Sequence, residues 1–194
     1  MTEGLRRLSA RLLEPVDIAW LAAFRVMFGI TLCVSMLRFL AYGWVDELFV
    51  KPRLHFTYWG LGWVRPLSAS HMHALFWVLA VLALCVAAGL AYRVTLGLFA
   101  LGFGYLQAVD VSNYLNHYYL ALLLAFLLWA APAHRALSLD AVLGLTRRRD
   151  YVPRAWHWLF RFQVGVVYTF AGVAKAHADW LFHAEPLSIW LGGR

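Results

Sequence analysis

Apolar residues run along this chain in five blocks: Ile18 to Trp44, Met72 to Ala91, Val94 to Val109, Tyr118 to Ala131 and Trp158 to Ala174. Blocks of that length, separated by short polar stretches, predict helices that cross a hydrocarbon core of about 30 Å. The fold predicted is therefore an all-α, multi-pass transmembrane bundle of about five spans, with residues 1–194 as a single membrane domain. Ahead of the first block, Leu5, Leu8 and Leu12 recur at spacings of three and four beside Arg6, Arg7 and Arg11. That is the pattern of a basic amphipathic helix lying on an anionic membrane surface. Pro15 and Asp17 suit the start of the first span. A short turn at Tyr92-Arg93 makes the second and third blocks an antiparallel hairpin, and Gly97, Gly102 and Gly104 allow close helix approach in the third. Asn113 or Asn116 is placed to cap the fourth helix, whose free amides could meet an anion. Ser138 to Leu145 reads as a short amphipathic piece on the surface within the arginine-rich stretch from Ala133 to Trp156. The chain shows neither an internal repeat nor a low-complexity tract.

Composition strengthens the membrane reading. The 194 residues are 63% hydrophobic and 14% charged, against about half and a quarter in soluble domains. The formal charge of +7 has no polar basic domain to carry it, so no nucleic-acid partner is expected. It is instead a topology signal. With a cytoplasmic amino terminus, the inner side receives Arg6, Arg7, Arg11, Arg93, Arg135, Arg147, Arg148, Arg149 and Arg154, and the outer side only Lys51, Arg53, Arg65 and Lys175. This predicts a protein of the bacterial inner membrane with its site on the non-cytoplasmic side. Cys33 and Cys85 both lie inside apolar runs and read as small buried hydrophobes. Arg25 and Arg38 sit within the first span, each within about 10 Å of a helix end. Snorkelling accounts for both, with Arg25 the deeper.

Three groups carry candidate chemistry. In Trp158 to Trp180, Tyr168 and Lys175 share a helical stripe, and Asp179 follows one turn on if the helix continues. Lys175 stands where the helix leaves the hydrocarbon, so it is either a snorkelling anchor or a chemical tool. The loop Asp46 to Ser70 carries Phe49, Phe56, Tyr58, Trp59 and Trp63. It reads as an interfacial aromatic belt, or as a wall for a flat apolar ligand such as a quinone beside Lys51, Arg53 and His55. Asn116 and His117 open the fourth span, either as a cap and an interfacial ring or as polar site residues at the mouth of the bundle. His55, His71, His73, His117, His177 and His183 fall on one side, but their spacing does not give the H-x-x-x-H pattern of a membrane metal enzyme, so no metal is expected. There is no G-x-S-x-G turn for a nucleophilic hydrolase.

The runs FVKPRLHFTYWGLGWV, NHYY, SLDAVLG and above all VYTFAGVAKAHADW resemble the membrane domain of vitamin K-dependent gamma-carboxylase, called the horizontally transferred transmembrane (HTTM) domain in bacterial relatives. The resemblance extends from about Arg25 to Leu191. It implies an enzyme that oxygenates reduced vitamin K, a naphthohydroquinone, with O2. The base so formed takes a proton from a glutamate side chain of a polypeptide, which then adds CO2. It further implies that Lys175 deprotonates the hydroquinone and that Asn116 and His117 belong to the active site. Tyr168, His55, Tyr58 and Trp59 are then the candidates for quinone contact. An amine acts as a base near neutrality only where its surroundings disfavour the ammonium, as partial desolvation does. Full-length members continue through further spans and a large non-cytoplasmic domain. The resemblance therefore implies either a fragment, which Glu185 and Pro186 in AEPLSIWL favour, or a different substrate. The alternatives are a quinone-linked oxidoreductase without carboxylation and a non-enzymatic membrane module.

Overall fold

The computed structural model describes residues 3–182 together with Ala184, Ile189, Leu191 and Gly192. His183, Glu185 and Pro186, named above, lie outside the described residues. The chain divides into two compact units, residues 1–154 and 155–194.

The first unit begins with α1, Glu3–Leu13, in which Glu3 in the first turn and Arg11 in the last complement the helix dipole. A three-residue strand, β1 (Pro15–Asp17), pairs antiparallel with β2 (Tyr151–Pro153), Val16 opposite Val152. The Asp17 carboxylate then accepts the Ala19 amide at 2.7 Å and starts α2, Ala19–Ala41. A wide helical turn, Asp46–Val50, opens the aromatic loop, and α3 runs over Ala69–Ala88. α4 is Tyr92–Val109, α5 is Asn116–Ala130, and the four-residue α6 is Leu139–Val142.

α2 and α3 pack through small residues. A Cβ on Gly29 would stand 2.6 Å from the Ala87 nitrogen and 2.7 Å from the Ala83 oxygen, so only glycine permits this approach. In α4, a Cβ on Gly102 would meet Leu79 at 2.9 Å. Rings fill the wider part of the core, with Phe39 stacked on Phe76 at 5.2 Å and Phe99 on Phe103 at 5.6 Å. The outward faces are also apolar. Ile30 and Val34 on α2, Trp77 and Val81 on α3, Leu98 and Leu101 on α4 and Phe126 on α5 are all exposed. Such a surface is costly in water and natural in lipid. Among the described residues, α2 and α3 are long and apolar enough to cross a membrane; α5 is apolar but shorter.

Several local expectations are corrected. Arg25 does not snorkel. It is 0% exposed and reaches across to the chain after α5, where it donates to the carbonyls of Ala133 at 3.0 Å, Ala136 at 3.3 Å and Leu137. Those carbonyls belong to irregular backbone between helices and need donors. The α3–α4 turn lies at Gly89–Ala91, with Tyr92 already helical. Gly89, at φ 67°, closes α3 with Leu90 donating to the Cys85 oxygen at 2.9 Å. A Cβ there would fall 2.5 Å from the Ser138 Cβ and 2.6 Å from an Arg25 nitrogen. Neither asparagine caps α5. Leu115 holds the cap position without a side-chain bond, while Asn113 donates to the Leu48 oxygen at 3.3 Å. The 138–145 piece is surface-lying on one side only, because Ser138 and Asp140 are buried. Asp140 accepts the Ala91 and Tyr92 amides at 2.7 and 3.0 Å. Cys33 and Cys85 are half-buried.

The second unit is built on α7, Arg154–Ala174, which takes its first residue from the first unit and is followed by α8, Ala178–Leu181. The helix does not continue through Lys175, so Asp179 is not one helical turn beyond it.

Candidate functional site

At the end of the first unit where α2 and α4 finish and α3 and α5 begin, a buried carboxylate acts on the backbone. Asp110 follows α4, is 3% exposed, and accepts the Ser112 hydroxyl at 2.7 Å, the Ser112 amide at 2.9 Å and the Phe56 amide at 3.3 Å. Val111 returns a bond to the Phe56 oxygen at 2.7 Å. Burial alone would raise the Asp110 pKa. The bonds from Ser112 and Phe56, with His55 nearby, outweigh it and hold the carboxyl below its ordinary range. The aromatic loop is thus stapled to the turn that leads into α5. His73 and Asp46, 3.0 Å apart, tie the loop's start to α3.

Beneath these staples lies a cavity of about 220 Å³, walled by Met36, Phe39, Phe49, Phe76 and Phe103, with Gln107, Ser112, Asn113 and Tyr118 as its polar groups. A second cavity, of about 250 Å³, is lined by Tyr58, Leu61, Gly104, Gln107, Tyr114, Tyr119 and Leu122. Gln107 lines both. Apolar walls with a few polar groups suit a flat, mostly apolar ring system.

Of the residues singled out from sequence, Tyr58 lines the second cavity. His55 sits beside the Asp110 staple with its Nε2 buried and without a hydrogen-bond partner among the described residues. Trp59 is fully exposed, at 101%. Asn116 is the first residue of α5 and His117 the second, both exposed, with the His117 ring edge-on to Tyr118 at 4.4 Å. In the second unit Tyr168 is 72% exposed. Lys175 lies just past the end of α7, its amide on the Gly172 oxygen at 3.1 Å and its Nζ 4.8 Å from the Trp180 ring centroid. Asp179 faces His177 instead, at 3.6 Å. Among the described residues no group of three His, Cys, Asp or Glu is placed to hold a metal ion.

Sequence reasoning missed Asp110 and Gln107. Asp110 carried a signal, an acid followed at two residues by serine at the end of an apolar run, which favours a side-chain turn. Gln107 sat inside a helix and gave none.

The model of the HTTM domain family matches residues 13–194. The chain belongs to the HTTM family. No solved structure matches it. The family match takes in both units, so the Asp110 staple, the two cavities, the Asn116-His117 pair and Lys175 all lie inside the HTTM region.

Proposed function

We propose that this HTTM chain is the quinol-handling membrane core of an enzyme of the vitamin K-dependent gamma-carboxylase type. It crosses the membrane five times, with its amino terminus cytoplasmic and its site on the other side. The observation that carries the reading is the family match across residues 13–194, which includes the AGVAKAHADW stretch around Lys175. The ring-lined cavity beside the Asp110 staple supports it.

When bound, a reduced naphthoquinone supplies, by reaction with O2, the base strong enough to let a glutamate side chain take up CO2. The chain's own part is to bind, orient and move a proton. Phe39, Phe49, Phe76 and Phe103 offer a dry wall for a flat ring, and Gln107 and Asn113 offer the polar contacts that fix its orientation. The resemblance gives Lys175, in the second unit, the role of proton acceptor for a quinol hydroxyl; its Nζ lies 4.8 Å from the Trp180 ring centroid. His117 and Asn116 orient the quinol oxygen, His117 through a ring nitrogen and Asn116 through its side-chain amide. His55, Tyr58 and Trp59 in the first unit, and Tyr168 in the second, are the candidates for quinone contact.

The test is turnover by the purified chain with reduced vitamin K, O2, labelled bicarbonate and a glutamate-containing peptide, alongside Lys175→Ala. Quinone epoxide with fixed label, both lost in the variant, is the expected result. Lysine-dependent epoxide without label would instead identify a quinol oxygenase that does not carboxylate, and oxidised quinone without epoxide or label a quinone-linked oxidoreductase. Full activity in Lys175→Ala would end the catalytic assignment and leave Lys175 as an anchor on Trp180.

A further inference from the structure

The first unit leaves two apolar strips without cover. No residue of α1 is buried, and Leu5, Leu8 and Leu13 are 52%, 54% and 68% exposed. From the last residue of α6 onward, Val142, Leu143 and Leu145 are 80%, 60% and 68% exposed. This second strip cannot roll inward, because Asp140 on the opposite side of α6 holds the Ala91 and Tyr92 amides. The strips are far apart in sequence, and the fold brings the chain just after α1 beside the second. β1, which follows α1, pairs with β2; Ile18 donates to the Asp150 oxygen at 3.0 Å, and Arg154 to the Glu14 oxygen at 2.9 Å. Asp17 and Ala19 line the same groove of about 610 Å³ as Leu137, Val142 and Arg148.

The charges around the strips have one prevailing sign. Arg7 pairs with Glu3, Arg148 with Asp150 and Arg154 with Glu14. Arg6, Arg11, Arg147 and Arg149 have no ion pair among the described residues. We infer that α1 and residues 137–149 form a two-part docking surface for an anionic lipid leaflet. The leucines sit at the boundary of headgroups and acyl chains, and the four arginines lie at the phosphates. A second copy of the chain fits worse, since a two-fold pairing would set these arginines against their own counterparts. The inference rests on the membrane reading and is independent of the quinol chemistry.

The experiment uses the full chain in nanodiscs of phosphatidylcholine with or without phosphatidylglycerol. Cys33 and Cys85 are replaced by serine, and a nitroxide is attached at Leu8→Cys or Val142→Cys for depth measurement by electron paramagnetic resonance. Both labels should lie below the headgroups in anionic discs and move toward water when phosphatidylglycerol is omitted or salt is raised. Combined replacement of Arg6, Arg11, Arg147 and Arg149 by glutamine should abolish that difference, the docking equilibrium falling roughly fivefold per arginine. A label at Val81→Cys, on the outward face of α3, reports whether the bundle survives. If it does not, the Arg6→Gln/Arg11→Gln variant carries the same test. Labels that stay in water in anionic discs, equal depth in both lipids, or protection that grows with protein concentration would each overturn the inference.

Discussion

The two ends of the first unit use buried polar groups for opposite purposes. Where α3 ends and α4 begins, Arg25, Asp140 and Gly89 draw α2, the α3–α4 turn and the chain after α5 into one knot, with the Tyr92 hydroxyl on the Leu128 oxygen at 2.6 Å. His134 stacks on Tyr92 at 5.0 Å, and burial together with Arg93 holds its ring below the usual histidine range. Contact there is so close that a single Cβ on Gly89 would collide with two partners. At the other end Asp110 also satisfies backbone amides, but it holds a loop above a cavity. The knot fixes which helices are neighbours, and the staple keeps space open between them. The cavities walled by aromatic rings lie at the second end.

The largest effect should come from removing Arg25. Arg25→Leu leaves the carbonyls of Ala133, Ala136 and Leu137 without their donor. Thermal unfolding in detergent should show a loss of about 3 kcal/mol or more, partly recovered by Arg25→Lys. A loss below about 1 kcal/mol would break the contrast between the ends. Asp140→Ala should cost less, about 2 kcal/mol, since it orphans the Ala91 and Tyr92 amides at the edge of the same knot.

Asp110 sharpens the comparison through pH. Its folded pKa is depressed, so its stabilising contribution is complete above the unfolded value and disappears as pH falls through the lower folded one. Hydrogen exchange at the Phe56 and Ser112 amides should therefore stay slow down to about pH 3.8 and quicken below it. Asp110→Asn should exchange faster at neutral pH and lose the acid step, while the Arg25 end is unaffected. Protection that ignores pH in the parent chain would show that the staple does not depend on the carboxylate. The smallest effect belongs to Trp59→Ala. With Trp59 fully exposed, the change in unfolding free energy should stay within about 0.5 kcal/mol. A larger one would place Trp59 in a packed site.

Much of the fold was legible in the chain because helix formation is a local matter. Apolar runs of sufficient length give α2 and α3 wherever the rest of the chain lies, and the leucine spacing in residues 5–12 gives α1. The motif around Lys175 was likewise visible as a string, and the HTTM match covers it. Local signals failed where a side chain had two possible partners. Asn113 looked like a helix cap and went to Leu48, and Asp179, expected one turn beyond Lys175 if the helix continued, lies past its end and faces His177.

What the sequence alone determined is therefore the set of apolar helices, the basic amphipathic start and family membership. Each depends on residues within a few turns of one another or on their linear order. Only the tertiary structure decided the role of Arg25, whose acceptors lie 108 to 112 residues further along the chain, and of Gly29, whose missing side chain matters because Ala83 and Ala87 press against it. It also decided that Asp110 guards a cavity. A buried polar group takes its meaning from the unsatisfied backbone it meets, and which backbone it meets is fixed only when the helices pack.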